Sequence, residues 1–411
     1  MTTIAQELTG LAGRILGYPF PLQIIAWDGS QDGPSEGPAL VIADRIALRR
    51  LLWQPNELGL AQAYVNGELD VIGDLGQALS LMPRGKVTLR PAVLASALRS
   101  AARHGILGPK PPAPTRQARL EGQVHSKDRD RAAISYHYDL SNEFYELILD
   151  PHLAYSCAYW SKPSMTLEAA QEAKLALICR KLGLRPGMRL LDVGCGWGSL
   201  SLYAASAFGA QVTAVTLSAQ QHTYVSKRIA ERGLTEYVEV LHRDYREISS
   251  EPFDAVATVE MGEHVGDDAY PAFVSKLHAL LKPGGRLLVQ QMSRGANAPG
   301  GGAFIESYIA PDMHMRPAGQ TVSLLEQGGL EVRDVQAMRE HYALTAAAWL
   351  STLERKWDDA VELIGQPGAR IWRLYLAGGG LAFAAGRMGV DQFLAVRPYA
   401  NGKSGYWENP W

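Results

Sequence analysis

The chain has 411 residues, of which 47% are hydrophobic and 20% charged, with a formal net charge of −2. At roughly 100–200 residues per domain this suggests two or three domains, and the composition is that of a globular protein, not a disordered or fibrous one. The near-neutral balance gives no global reason to expect nucleic acid or another polyanion as partner.

Three cysteines, Cys157, Cys179 and Cys195, are too few and too irregular for a disulfide framework or a zinc site, and suit a reducing cytoplasm. The first twenty residues lack a basic stretch followed by a long apolar one, so no signal peptide is expected. No run approaches the roughly 18 apolar residues that span a bilayer; the longest candidate, Leu374 to Gly386, is short and Gly-rich. The expected location is cytoplasmic, with any lipid met at the inner membrane surface.

In chain order, Ala39 to Ile42 reads as a strand, Arg45 to Trp53 and Leu58 to Asn66 as short helices, and Lys86 to Gly105 has helical spacing. These make a small α/β domain over residues 1–107. Four prolines follow within six residues (Pro109, Pro111, Pro112, Pro114), which no helix tolerates, so 108–120 is read as a linker. From Arg84 to Arg131 there are eleven basic and three acidic residues. That stretch is either a solvated connector or a surface for anionic phospholipid headgroups, to which each base adds about 1 kcal/mol.

Over 121–411 strands and helices alternate: Arg189 to Val193, then a helix to Ala207; Gln211 to Val215, then a helix from Ala219 to Arg232; Val238 to Leu241; Ala255 to Val259; a helix from Tyr270 to Leu281; and Arg286 to Gln290. This order predicts a doubly wound, Rossmann-like sheet. Leu190-Leu-Asp-Val-Gly-Cys-Gly-Trp-Gly198 puts a Gly-rich turn at a strand end, where backbone must approach a ligand closely. Asp192 lies before the first glycine, and the next strand ends without an acid. The block therefore resembles class I S-adenosylmethionine methyltransferases more than nicotinamide enzymes.

Further blocks carry a closer resemblance. They are Tyr136 to Leu140, Tyr155 to Tyr159, Leu167 to Gln171, Thr216-Leu-Ser218 with Gln221, Asp244 to Arg246, Met261 to Gly266, His341-Tyr342, Arg373 to Leu376 and Gln392. In order and spacing they resemble the cyclopropane-fatty-acid synthases and mycolic-acid-modifying relatives, over about residues 120–395. The first domain also looks like the lipid-associated N-terminal domain of full-length members.

The resemblance implies S-adenosylmethionine as cofactor, held by Tyr155, Ser156, Asp192, Gly194, Gly196, Thr216, Leu217, Gln221, Tyr245 and Arg246. It also implies that Cys157, Glu263 and Tyr342 line the catalytic pocket and hold a bicarbonate ion; His264 either orients Glu263 or packs. The implied partner is an unsaturated phospholipid, and a homodimer stays open. The implied chemistry transfers a sulfonium methyl to an alkene carbon and leaves a carbocation on its neighbour. Proton loss from the new methyl then gives a cyclopropane, or an exocyclic methylene if a hydride shifts first.

Three departures bear on the product. Gln290 stands where family members carry His, at the end of the strand after Gly284-Gly285. Glu146 stands where a small residue is usual, and Ala310 with Met313 and Met315 replaces an aromatic and glycines. Glu146 is expected to supply the base in place of bicarbonate, the alternative being a solvent-facing helix residue. These changes favour a 10-methylene chain, which a separate reductase would convert to the 10-methyl acid. The competing readings are a cyclopropane synthase, a small-molecule methyltransferase and a lipid-binding protein without activity.

Overall fold

The computed structural model describes residues 2–82, 91–114, 117, 122, 129, 141–296 and 302–406. Most of the basic stretch and the Tyr136 to Leu140 block lie outside the described residues. The chain divides into two compact units. The first comprises residues 1–117, 303–308 and 357–381; the second comprises 118–302, 309–356 and 382–411. The first unit thus draws two segments from the region that the sequence pattern assigns to the second domain.

In the first unit β1 (Gln23–Ile25), β2 (Gln31–Asp32), β3 (Ala39–Ile42) and β4 (Leu69–Ile72) form a sheet in the order β2-β1-β3-β4. The helix Ile4–Leu16 begins with a reciprocal Thr3–Gln6 capping box and buries Ala5 and Leu8 among Leu22, Ile24 and Ile42. Residues 106–114 form no helix or strand. They are nonetheless strapped down, with Arg49 donating to the Ile106 carbonyl at 2.7 Å, Trp53 to Gly108 at 3.0 Å and Arg50 to Pro112 at 2.8 Å.

The second unit holds β5 (Arg189–Val193), β6 (Gln211–Thr216), β7 (Val238–His242), β8 (Phe253–Val259), β9 (Leu281–Ser293), β10 (Glu331–Ala337) and β11 (Gly389–Val396), in the order β10-β11-β9-β8-β5-β6-β7. The five strands from β9 to β7 are parallel, and β11 runs antiparallel to both of its neighbours. The alternation of side chains along each strand feeds two cores. Leu190, Val212, Ala255, Ala257 and Leu288 face one, with the helices Leu167–Leu182, Ser199–Phe208 and Ala219–Glu231. Leu191, Val193, Val256, Leu287 and Val289 face the other, with the helices Tyr270–Leu280 and Ala318–Gln327. Burial on both faces makes this a doubly wound α/β fold. Among the described residues no helix is long and apolar enough to cross a membrane.

Candidate active site

The carboxyl ends of β5, β6 and β8 open into one cavity, lined among others by Tyr155, Ser156, Lys174, Asp192, Gly194, Gly196, Thr216, Leu217, Gln221, Tyr245, Arg246, Glu260, His264 and Asp312. After β5 the chain turns through Gly194 (φ 80°), Gly196 (φ 54°) and Gly198 (φ 80°), and Gly198 caps the helix Ser199–Phe208. These left-handed backbone angles strongly favour glycine. A Cβ on Gly194 would also lie 3.1 Å from the Met261 Cγ, whereas one on Gly196 would meet nothing within 4 Å. The space over Gly196 is therefore room for a ligand rather than for protein.

Asp192, next to last in β5, is buried; its Oδ2 accepts from the Ser201 hydroxyl at 2.6 Å. Burial pushes its carboxyl up to about 6, with Ser201 and the Lys174 ammonium opposing. At the end of β6 the Thr216 hydroxyl donates to the Gln221 Oε1 at 2.7 Å. That fixes the Gln221 amide, whose buried Nε2 has no partner among the described residues. A fixed, unsatisfied donor on a cavity wall is a ready partner for a ligand hydroxyl. Arg246 pairs with the buried Asp244 at 2.6 Å and lies over the Tyr245 ring. The Gly turn, the oriented Gln221 donor and the aromatic Tyr155 and Tyr245 together fit S-adenosylmethionine.

All ten residues that the sequence assigns to the cofactor lie on this wall. The catalytic set divides. His264 is on the wall. Cys157, Gln290 and Tyr342 lie behind it and converge on a residue the sequence reading passed over, Glu260. The Cys157 amide donates to the Glu260 Oε1 at 2.8 Å, the Gln290 Nε2 to the same oxygen at 2.9 Å, and the Tyr342 hydroxyl to Oε2 at 2.7 Å. The Gln392 Nε2 donates to the Gln290 Oε1 at 2.9 Å, which turns the Gln290 amide nitrogen toward Glu260. The Cys157 thiol is buried, and burial with the Glu260 charge drives its pKa far up, so it stays a thiol.

Two expectations need correction. Glu146 does not reach the cavity: it is exposed on the helix Asn142–Ile148 and accepts a 2.6 Å hydrogen bond from Tyr224. Helical periodicity turns its neighbours Phe144, Tyr145 and Ile148 into the core and leaves position 146 on the outer face. Glu263 is buried but off the wall, with no hydrogen-bond partner of good geometry on either carboxylate oxygen among the described residues. Burial and the nearby Glu260 charge push it up to about 8.

Glu260 was legible in principle. It follows β8 directly, at the strand end where α/β sheets bind ligands, one residue before the Met261 to Gly266 block. Lys174 also escaped notice. It lies on the helix Leu167–Leu182, is 1% exposed, and its ammonium donates to the Ser156 hydroxyl at 2.7 Å.

The model of the mycolic acid cyclopropane synthetase family matches residues 125–393. A protein of Mycobacterium tuberculosis described as a probable fatty acid methyltransferase is 37% identical over 404 residues, covering 95% of this chain and 94% of its own. The tuberculostearic acid methyltransferase UfaA1 of the same organism is 30% identical over 422 residues, covering 96% and 92% respectively. Among solved structures, mycolic acid cyclopropane synthase CmaA1 complexed with SAH and CTAB aligns at TM-score 0.62 and 32% identity, over 64% of this chain and 97% of that one. The chain belongs to the mycolic acid cyclopropane synthetase family and is an S-adenosylmethionine-dependent methyltransferase.

Proposed function

We propose that this methyltransferase acts on the double bond of an unsaturated, oleoyl-type acyl chain of a membrane phospholipid and makes the 10-methylene chain. One observation carries the alkene reading. An unbroken run of rings leads from Tyr155 on the cavity wall through Trp349 (5.3 Å between centroids) and Tyr342 (6.1 Å) to Phe383 (4.3 Å), beside the half-buried Glu260 carboxylate. Rings of this kind stabilise a transient carbocation through their π-faces, and they exclude the water that would quench it. The fatty-acid methyltransferases among the relatives, the tuberculostearic acid methyltransferase UfaA1 included, support an acyl substrate.

S-adenosylmethionine, when bound, supplies an electrophilic methyl group. The chain supplies the rest. The Gly194 to Gly198 turn lets the ligand approach the backbone, Gln221 and Asp192 orient it, and the Tyr155 ring, backed by Trp349 and Tyr342, faces the reacting carbons from the wall. Holding an alkene in line with a methyl donor replaces a bimolecular encounter by an oriented one, which lowers the barrier by up to about 7–11 kcal/mol. We further propose that the substrate is drawn from the membrane surface and that a separate reductase consumes the methylene product.

Ring closure is the second reading, favoured by the likeness to CmaA1. Purified protein is incubated with S-adenosylmethionine and dioleoyl phospholipid vesicles, and the released methyl esters are examined by proton NMR. Vinylidene signals support the methylene product. Cyclopropane methylene signals overturn it in favour of ring closure, and absence of any methylated lipid overturns the lipid substrate.

A further inference from the structure

We infer that Glu260 is the base of the reaction, taking the proton that leaves the transferred methyl group, and that the enzyme needs no bound bicarbonate. The inference rests on the alkene reading above and adds the group that ends the reaction. Its first support is position: Glu260 stands on the cavity wall at the end of β8, beside the strand that carries the cofactor loop. Its second is the cage. Both carboxylate oxygens are held, Oε1 by the Cys157 amide and Gln290 and Oε2 by Tyr342, so the group is fixed before substrate arrives.

The third is strain. Glu260 has φ 54°, uncommon for any residue with a side chain, and its amide donates to the Gln290 carbonyl at 2.6 Å. Such a conformation persists only where the surroundings over-determine it, and it clusters at functional sites. The resemblance assigns Cys157, Glu263 and Tyr342 to a bicarbonate ion. Here the Cys157 amide and the Tyr342 hydroxyl end on Glu260 and Glu263 is buried off the cavity wall, so bicarbonate does not fit: the protein's own carboxylate takes two of its three partners.

The charges around it agree. The buried Lys174 ammonium favours the ionised form, as do the three donors, while burial raises the carboxyl above its usual range and makes it a stronger base. Glu263, the other carboxyl of the pair and the more deeply buried, carries the proton that two neighbouring carboxylates do not both give up. The remaining titratable neighbours, Cys157 and Tyr342, stay protonated, Cys157 by burial and Tyr342 as the donor to Oε2.

In the reaction the alkene π pair forms the new carbon–carbon bond as the sulfur–methyl bond breaks and leaves its pair on sulfur. The positive charge passes to the neighbouring alkene carbon. Glu260 then accepts a proton from the former methyl, and the freed C–H pair forms the exocyclic double bond after a hydride shift, or the ring without one. The proton later passes to solvent and the carboxylate is restored.

The test uses the full-length enzyme with S-adenosylmethionine and dioleoyl phospholipid vesicles in carbon-dioxide-free buffer, with and without added bicarbonate. Wild-type turnover should not change with bicarbonate. Glu260→Gln should lower turnover by about 10²–10⁴-fold, the usual range for loss of a positioned base, with cofactor affinity by calorimetry unchanged and no recovery on adding bicarbonate. Glu260→Gly suits the positive φ and vacates the cage, so bicarbonate should restore its turnover, and the NMR line of ¹³C-labelled bicarbonate should broaden with that variant and not with wild type. Wild-type turnover that requires bicarbonate, broadening by wild type, or a Glu260→Gln enzyme at full rate would overturn the inference. If no vesicle is methylated the alkene reading fails, and the labelled-bicarbonate lines still decide whether Glu260 fills the anion site.

Discussion

Glu263 shows how one buried side chain ties the site to stability. Its carboxyl has no partner of good geometry among the described residues and lies near the Glu260 charge, so its pKa rises from an ordinary 4.5 to about 8. A raised carboxyl pKa stabilises the fold while the group is protonated in both states, below about 4.5. That contribution is lost as pH climbs from there through about 8, because the unfolded chain ionises first. Glu263→Gln keeps the shape and removes the titration. It should melt near wild type at pH 4.5 and progressively higher than wild type toward pH 8.5, by a difference on the order of a few kcal/mol. Parallel melting curves across that range would mean that Glu263 is solvated or paired. The motif pattern puts Glu263 in the catalytic pocket, whereas the cavity wall carries Glu260 instead. Three residues apart, the two differ only in which one the strand end turns toward Cys157, Gln290 and Tyr342, and that is a tertiary fact.

At the level of elements, the cofactor loop was the most legible part because its constraint is local. A strand end and three glycines can be read in nine consecutive positions, with a helix directly after them, and each of the three glycines has a positive φ. The Gly194 and Gly196 positions separate fold from ligand. Gly194→Ala forces a Cβ against Met261 at φ 80° and should cost both stability, about 1–2 kcal/mol, and cofactor affinity. Gly196→Ala meets no protein atom, so its melting temperature should fall less while calorimetric affinity for S-adenosylmethionine falls at least tenfold. Equal affinity in the Gly196 variant and wild type would remove that glycine from the cofactor site. β10 and β11 were not legible for the opposite reason. Their sequences, EVRDVQA and GVDQFLAV, mix charge into the apolar pattern, and only pairing with β9 and with each other, across about a hundred residues for β9 and β11, makes them strands. The helix Ile4–Leu16 was readable from its Thr3–Gln6 capping box and was overlooked.

For the whole molecule, the informative feature is how the chain returns to its first unit. The pattern of residues 1–107 suggests a domain complete in itself, since its strands and helices are contiguous. The structure instead brings 303–308 and 357–381 into that unit. Arg370, 6% exposed, donates to the Tyr64 carbonyl at 2.6 Å, the Leu69 carbonyl at 2.8 Å and the Asp70 carboxylate at 3.1 Å, with its guanidinium 4.3 Å from the Tyr64 ring centroid. Arg373 donates to the Tyr64 hydroxyl, and Gln62 to the Tyr308 hydroxyl. No local pattern encodes these bonds, because each joins residues about 250–310 positions apart. They imply that the first unit cannot be completed by its own contiguous residues. A fragment of residues 1–117 should therefore lack a cooperative melt and be cut readily by protease, since the charged hydrogen bonds that Arg370 makes to the Tyr64 and Leu69 carbonyls and to Asp70 would be lost, at about 1.5–3 kcal/mol each. In the full chain Arg370→Met should destabilise this unit by a similar amount and speed proteolysis within residues 1–117, while the NMR-detected affinity for S-adenosylmethionine, whose cavity is lined by the second unit alone, stays as in wild type. A fragment that melts cooperatively on its own would show that the returning segments decorate the first unit instead of completing it.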